Sequence, residues 1–135
     1  MSRENVAVVS SIYDRFWKER DWSIFDDLDP DFLSVMQIGP ESTQRGPREF
    51  EQLIRDWIGT WEDNQATYEV TDLGGDHVLL ACHLTGRMPG SEASLEMDLV
   101  QLWTVRDGTP VEVRWYETRE EAVEEAERVS RELRR

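Results

Sequence analysis

Apolar positions recur at two different periods along this chain, and the change of period divides it. Near the N-terminus Val6, Val9, Tyr13, Phe16 and Trp17 return every three or four residues, with Glu4, Asp14, Arg15 and Lys18 off that stripe, which predicts an amphipathic helix. Asp21-Trp22-Ser23 interrupts it. Ser23 is placed to cap a short second helix over residues 24–28, which Pro30 terminates. Residues 32–38 form a short strand candidate before the Gly39-Pro40 break. Gly46-Pro47 then opens a further helix with proline in its first turn, striped by Phe50, Leu53, Ile54, Trp57, Ile58 and Trp61.

Beyond Trp61 the period drops to two. Strands are predicted over 66–73, 77–87, 93–106 and 111–117. Gly74-Gly75-Asp76, Met88-Pro89-Gly90-Ser91 and Asp107-Gly108 stand between them as hairpin turns. Thr118-Arg119-Glu120-Glu121 fits a capping box for a last helix with Ala122, Val123, Ala126, Val129 and Leu133 on its apolar side. Helices first, a strand meander, then a closing helix read as an α+β fold. The expected architecture is a curved antiparallel sheet with the helices packed on one face. No repeat or linker divides the chain, so residues 1–135 are expected to form a single domain.

Alternation separates the two faces of each strand. Val78, Leu80, Cys82 and Leu84 share one face, opposite Leu79, Ala81, His83 and Thr85. Leu95, Met97, Leu99, Gln101, Trp103 and Val105 oppose Glu96, Asp98, Val100, Leu102 and Thr104; Val111, Val113 and Trp115 oppose Glu112, Arg114 and Tyr116. Gln101 is the exception on its face. A buried amide without partners costs roughly 1–3 kcal/mol, so it must bond to something.

Charge changes the functional picture more than the structural one. Fifteen basic and 29 acidic side chains leave a formal charge of −14, which repels phosphate backbones and anionic membrane surfaces, so neither nucleic acid nor membrane is an expected partner. At 39% hydrophobic with six tryptophans, the chain has material for a core. The single cysteine, Cys82, excludes an internal disulfide framework and a multi-cysteine zinc site. It falls on an all-apolar face, as a buried, inert thiol would. The apolar runs are too short to span a bilayer, and Met1-Ser2-Arg3-Glu4-Asn5 lacks the apolar segment of a secretory signal. A soluble, cytoplasmic protein is expected.

Phosphate-loop, dinucleotide and nucleophile-elbow motifs are all missing. His77 and His83, six residues apart on one strand, are separated by about 20 Å and cannot share a metal. Neither metal nor cofactor is expected. The tryptophans carry the signal that remains. They are either the bulk of a core or the lining of an apolar cavity between helices and sheet, with Tyr13 and Gln101 as its placed polar groups.

A helix of the form Val-Val-x-x-x-Tyr-x-x-Phe-Trp, then Asp-Trp and Leu-Asp-Pro-Asp-Phe, resembles the SnoaL-like proteins of the nuclear transport factor 2-like superfamily. Arg45-Gly46-Pro47, the run Gln101-Leu102-Trp103-Thr104-Val105-Arg106-Asp107-Gly108 and the ending Val113-Arg114-Trp115-Tyr116 extend the likeness over nearly the whole chain. The resemblance implies an α+β cone, with N-terminal helices on the concave face of a strongly curved antiparallel sheet and a short C-terminal helix, a helix-capped pocket and, commonly, a homodimer. The superfamily includes ketosteroid isomerases, polyketide cyclases, dehydratases, epoxide hydrolases and non-enzymatic binding domains, so fold alone selects no reaction. Against the isomerases, Tyr13 and Asp21 keep the spacing of an oxyanion tyrosine and an aspartate. Gln101 stands at the second oxyanion donor. Met36, which cannot take a proton, stands at the general base.

The expected function is binding of a small apolar or aromatic molecule among Tyr13, Trp17, Met36, Trp57, Trp61, Met97, Gln101, Trp103, Val113 and Trp115. Two alternatives stay open. One is a lyase, isomerase or cyclase that uses Tyr13 and Gln101 as catalytic donors to an enolate. The other is a non-catalytic interaction protein. Val100, Leu102 and Tyr116 on the outer sheet face are expected to serve a homodimer.

Overall fold

A computed structural model describes residues 2–37 and 41–133, with backbone only at residue 2 and residues 130–133. The first helix, α1 (Ser2–Glu19), buries Val9, Tyr13 and Phe16 of the stripe read from the sequence, with Ile12 beside them. It ends where Arg20 turns to φ 51° and the Asp21 N–H returns to the Arg15 carbonyl at 3.0 Å. A short 3₁₀ helix, Trp22–Asp27, follows. Its cap is Asp21, whose Oδ1 accepts from the Ser23 N–H at 2.9 Å, and not Ser23 itself, as expected from sequence. A carboxylate one residue before the first turn reaches that N–H; the Ser23 side chain, already inside the turn, does not cap it.

Two short strands come next, β1 (Leu33–Met36) and β2 (Ser42–Arg45), paired antiparallel. The expected strand ending at Ile38 and the Gly39-Pro40 break lie partly outside the described residues. β2 was not expected, because Ser-Thr-Gln-Arg at a sheet edge carries no apolar alternation. Gly46, at φ 84°, turns the chain into α2 (Pro47–Gly59), a conformation that favours glycine. Trp61 lies beyond the end of this helix, so the Trp57–Trp61 pair is not one helical turn. Trp61 leads into β3, and its ring meets that of Trp57 at 5.8 Å.

The remaining strands are β3 (Glu62–Gly74), β4 (His77–Arg87), β5 (Ser94–Arg106) and β6 (Thr109–Tyr116). β3 begins four residues before its alternation does, since Asp63 at φ 51° and a register shift between Glu62 and Gln65 break the pattern there. The curved six-stranded sheet runs β2-β1-β6-β5-β4-β3. It is mixed, and not wholly antiparallel as expected: β1 pairs parallel to β6, with Ser34 opposite Val113.

Two apolar layers result. The inner one joins α1, the 3₁₀ helix and α2 to the concave face through Val78, Leu80, Leu99, Trp103, Val113 and Trp115. The outer one is closed by α3 (Arg119–Leu133), whose Ala122 and Ala126 pack on Leu79, Val100, Leu102 and Tyr116. Small alanines let this helix lie close to the sheet. At 15 residues it is not short. It leaves Val100, Leu102 and Tyr116 at 8%, 3% and 4% exposure, so the apolar outer face expected to serve a dimer is covered within one chain. Thr118 caps the helix as expected, its Oγ1 accepting from the Glu121 N–H at 3.2 Å. The Leu133 side chain lies outside the described residues. No described helix is long and apolar enough to cross a membrane.

Candidate functional site

The concave face and the helices above it do not meet completely. A cavity of about 50 Å³ remains between them, several times the ~10–15 Å³ that one water needs. Ile12, Tyr13, Phe16 and Trp17 reach it from consecutive turns of α1, Ile24 and Phe25 from the 3₁₀ helix, and Phe50, Ile54, Trp57 and Ile58 from α2. Cys82, Leu84, Leu99, Gln101, Trp103 and Trp115 form the sheet side. Only Trp17, Trp57 and Ile58 of this set are half-buried, which places the opening between the C-terminal ends of α1 and α2. A smaller recess at that rim is lined by Trp17, Trp57, Ile58, Trp61, Asn64 and Leu84.

Gln101 provides the polar floor. At 2% exposure, its Oε1 accepts from the Tyr13 hydroxyl and from the Trp103 indole N–H, the latter at 2.9 Å. Its amide nitrogen has no hydrogen-bond partner among the described residues, although the side chain lines the cavity. Burial raises the Tyr13 pKa well above the ordinary tyrosine value, so this phenol stays protonated and donating. The surrounding rings fix the arrangement: Tyr13 meets Trp103 edge-on at 6.4 Å, and Trp57 meets Trp115 edge-on at 6.3 Å. Trp115 donates its own N–H to Ser34 Oγ at 3.3 Å.

Six of the residues expected at a ligand line the cavity together: Tyr13, Trp17, Trp57, Gln101, Trp103 and Trp115. Trp61 lines the rim recess. Met36, Val113 and Met97 are not brought there. Met36 is half-buried against the core, Val113 is fully buried behind the lining, and Met97 is 36% exposed. Alternation assigns the right face to Met97 and Val113, but not the distance along the strand at which helices cover that face. Phe16, Phe50 and Ile54 were legible as stripe residues and not as lining, and Ile12 belonged to neither reading. Cys82 is buried as expected, and burial pushes its thiol up to about 12.

The charged residues stand elsewhere. Arg114 pairs with Glu112 at 3.1 Å on the outer face, and His83 Nδ1 meets Asp98 Oδ1 at 2.6 Å there. Asp21, whose spacing from Tyr13 resembles that of the isomerases, is occupied as a cap and as a partner of Arg15 at 3.1 Å. Asp29 Oδ1 accepts from the Asp31 N–H at 2.8 Å. None of the sixteen lining residues is Asp, Glu, His, Lys or Arg. No group of three or more His, Cys, Asp or Glu that could hold a metal occurs among the described residues.

The SnoaL-like domain model matches residues 9–113. No curated protein matches the sequence. Among solved structures, a candidate SnoaL-like polyketide cyclase from Jannaschia sp. CCS1 superposes with a TM-score of 0.75 at 22% identity, covering 86% of each chain. TerC, co-crystallised with polyporic acid, gives 0.70 at 19% identity, covering 90% of this chain and 98% of the other. A protein of ketosteroid isomerase-like fold from Catenulispora acidiphila DSM 44928, in complex with trimethylamine, gives 0.68 at 16%, covering 83% and 85%. The chain therefore belongs to the SnoaL-like domain family.

Proposed function

We propose that this protein binds a small, predominantly apolar or aromatic molecule in the cavity between its helices and the concave sheet face. One observation carries the reading: an open cavity whose sixteen lining side chains include no charged group and a single amide. Apolar walls with one or two convergent polar groups are the general form of a small-molecule site. Trp17, Trp57 and Trp61 stand at the entrance and Trp103 and Trp115 deeper, so tryptophan emission reports on occupancy. In a titration with small cyclic and aromatic compounds, a saturable change in emission is expected. No saturable change with any of them overturns the proposal.

Binding is favoured over turnover by the same lining. Proton abstraction needs an acceptor within about 3 Å, or one water, of the reacting atom. The lining offers none among the described residues, and the Tyr13 proton is already given to Gln101.

Homodimerisation and a cytoplasmic setting belong to the same proposal. With Val100, Leu102 and Tyr116 under α3, the outer face left for a second copy is the polar part bearing Thr67, Glu69, His83, Glu96 and Asp98. Light scattering at micromolar concentration is expected to give twice the 15.8 kDa chain mass, and the monomer mass overturns this part.

A further inference from the structure

We propose that Trp103 sets the polarity of the cavity floor, turning the Gln101 amide so that its NH₂ faces the ligand and the site takes neutral molecules bearing a hydrogen-bond acceptor, such as a ketone, ester or amide oxygen. This rests on the binding reading above and adds which chemistry the floor selects.

A primary amide presents nearly the same shape after half a turn about its last bond, so its neighbours decide which end points where. The two neighbours of Gln101 are not equivalent. The Tyr13 hydroxyl can donate or accept and would satisfy either end of the amide. The Trp103 indole N–H can only donate, so it is compatible with the oxygen alone. At 2.9 Å, on a tryptophan 2% exposed and held by ring contacts to Phe32 and Phe50 at 6.0 and 6.5 Å, it has no freedom to turn away. Trp103 therefore breaks the symmetry, and Tyr13 follows by donating to the same oxygen.

Three consequences for a ligand follow. The NH₂ group, without a hydrogen-bond partner among the described residues, belongs to a side chain that lines the cavity, and an acceptor entering the cavity would complete it. Two protons on Oε1 draw electron density from the amide and strengthen its N–H groups as donors. With no cation in the lining, a carboxylate entering the cavity would be buried without a counter-charge. The expected pair of donors, Tyr13 and Gln101, is thus a relay, in which Tyr13 and Trp103 are positioning residues and Gln101 touches the ligand.

The test compares cyclohexanone with methylenecyclohexane, which replaces C=O by C=CH₂ at nearly constant shape. The ratio of their dissociation constants is measured in the wild type, Trp103→Phe and Gln101→Leu; the difference in transfer from water is common to all three and cancels. The preference for the ketone is expected to fall about fivefold in Gln101→Leu. It should fall nearly as far in Trp103→Phe, where the amide is free to turn. An unchanged ratio in Trp103→Phe overturns the proposal while leaving the binding reading intact. Absence of saturable binding by both compounds in the wild type overturns this proposal, and the binding reading falls with it only if every other compound of the wider titration fails as well. Should Trp103→Phe fail to fold, the wild type still decides. The Gln101 side-chain amide resonances are expected to shift on saturation with cyclohexanone and not with methylenecyclohexane, and equal shifts overturn the assignment.

Discussion

Tyr13 on α1 gives its hydroxyl proton to the side-chain carbonyl oxygen of Gln101 on β5, a residue 88 positions further along the chain. The bond ties the helical layer to the sheet across the floor of the cavity. Both partners are buried, so water cannot replace either one at low cost. Tyr13→Phe should therefore lower the unfolding free energy by about 1 kcal/mol, since Gln101 Oε1 keeps the Trp103 N–H and no donor is stranded. Urea denaturation measures this, and a loss well above that would mean that the ring has shifted as well.

Alkaline pH should destabilise the fold. Burial raises Tyr13 well above the ordinary 10.0, takes Tyr116 to about 12 and Cys82 to about 12, and raises Tyr68 as well. In each case the folded state keeps a proton that the unfolded chain releases first. Their contribution is therefore complete below the unfolded values of 9.0 for the thiol and 10.0 for the phenols. It is lost as pH climbs through the folded values. The urea midpoint is expected to fall steadily from about pH 9 to pH 12.

Tyr116→Phe should be neutral or stabilising at pH 7, by up to about 1 kcal/mol. The hydroxyl is buried under α3 without a hydrogen-bond partner among the described residues, so its removal relieves a desolvated group. The same variant should flatten the alkaline slope. A clear loss of stability would show that the hydroxyl is bonded in solution.

Gly86→Ala should displace the rim. A Cβ at this position would lie 2.7 Å from Trp61 Cε3 and 3.3 Å from the Glu62 carbonyl oxygen, so the indole must move. The expected cost is roughly 1–3 kcal/mol, with a red shift of tryptophan emission as Trp61 leaves its recess. An unshifted spectrum would contradict the packing of Trp61 on β4.

Leu99→Phe, in the sheet wall of the cavity, should weaken cyclohexanone binding at least about tenfold by filling the space. The fold itself should lose no more than ~1–3 kcal/mol. Calorimetric titration beside urea denaturation reads both, and undiminished binding would place the ligand elsewhere.

Local periodicity made much of this legible in advance. The spacing of Tyr13, Phe16 and Trp17 requires one helical face. The alternation Leu99, Gln101, Trp103 against Asp98, Val100, Leu102 requires a strand with one polar intruder. From that phase alone Glu96, Asp98, Glu112 and Arg114 fall on the outer face, where they are found. β2 escaped because four polar edge residues have no pattern to read. The spacing of Trp61 from Trp57 fits a helix, although Gly59 ends that helix first.

The sequence by itself thus determined the elements, the facing of their side chains and the exclusion of charge from the concave side, since each depends on geometry over a few neighbouring residues. Tertiary structure alone decided how far those faces are covered. It set β1 parallel to β6, laid α3 over Val100 and Leu102, left Met97 in the open, and brought Tyr13 and Trp103 to one oxygen of Gln101. These are meetings between residues distant in the chain. They follow from how twisted layers pack and where helices end, which no local period encodes.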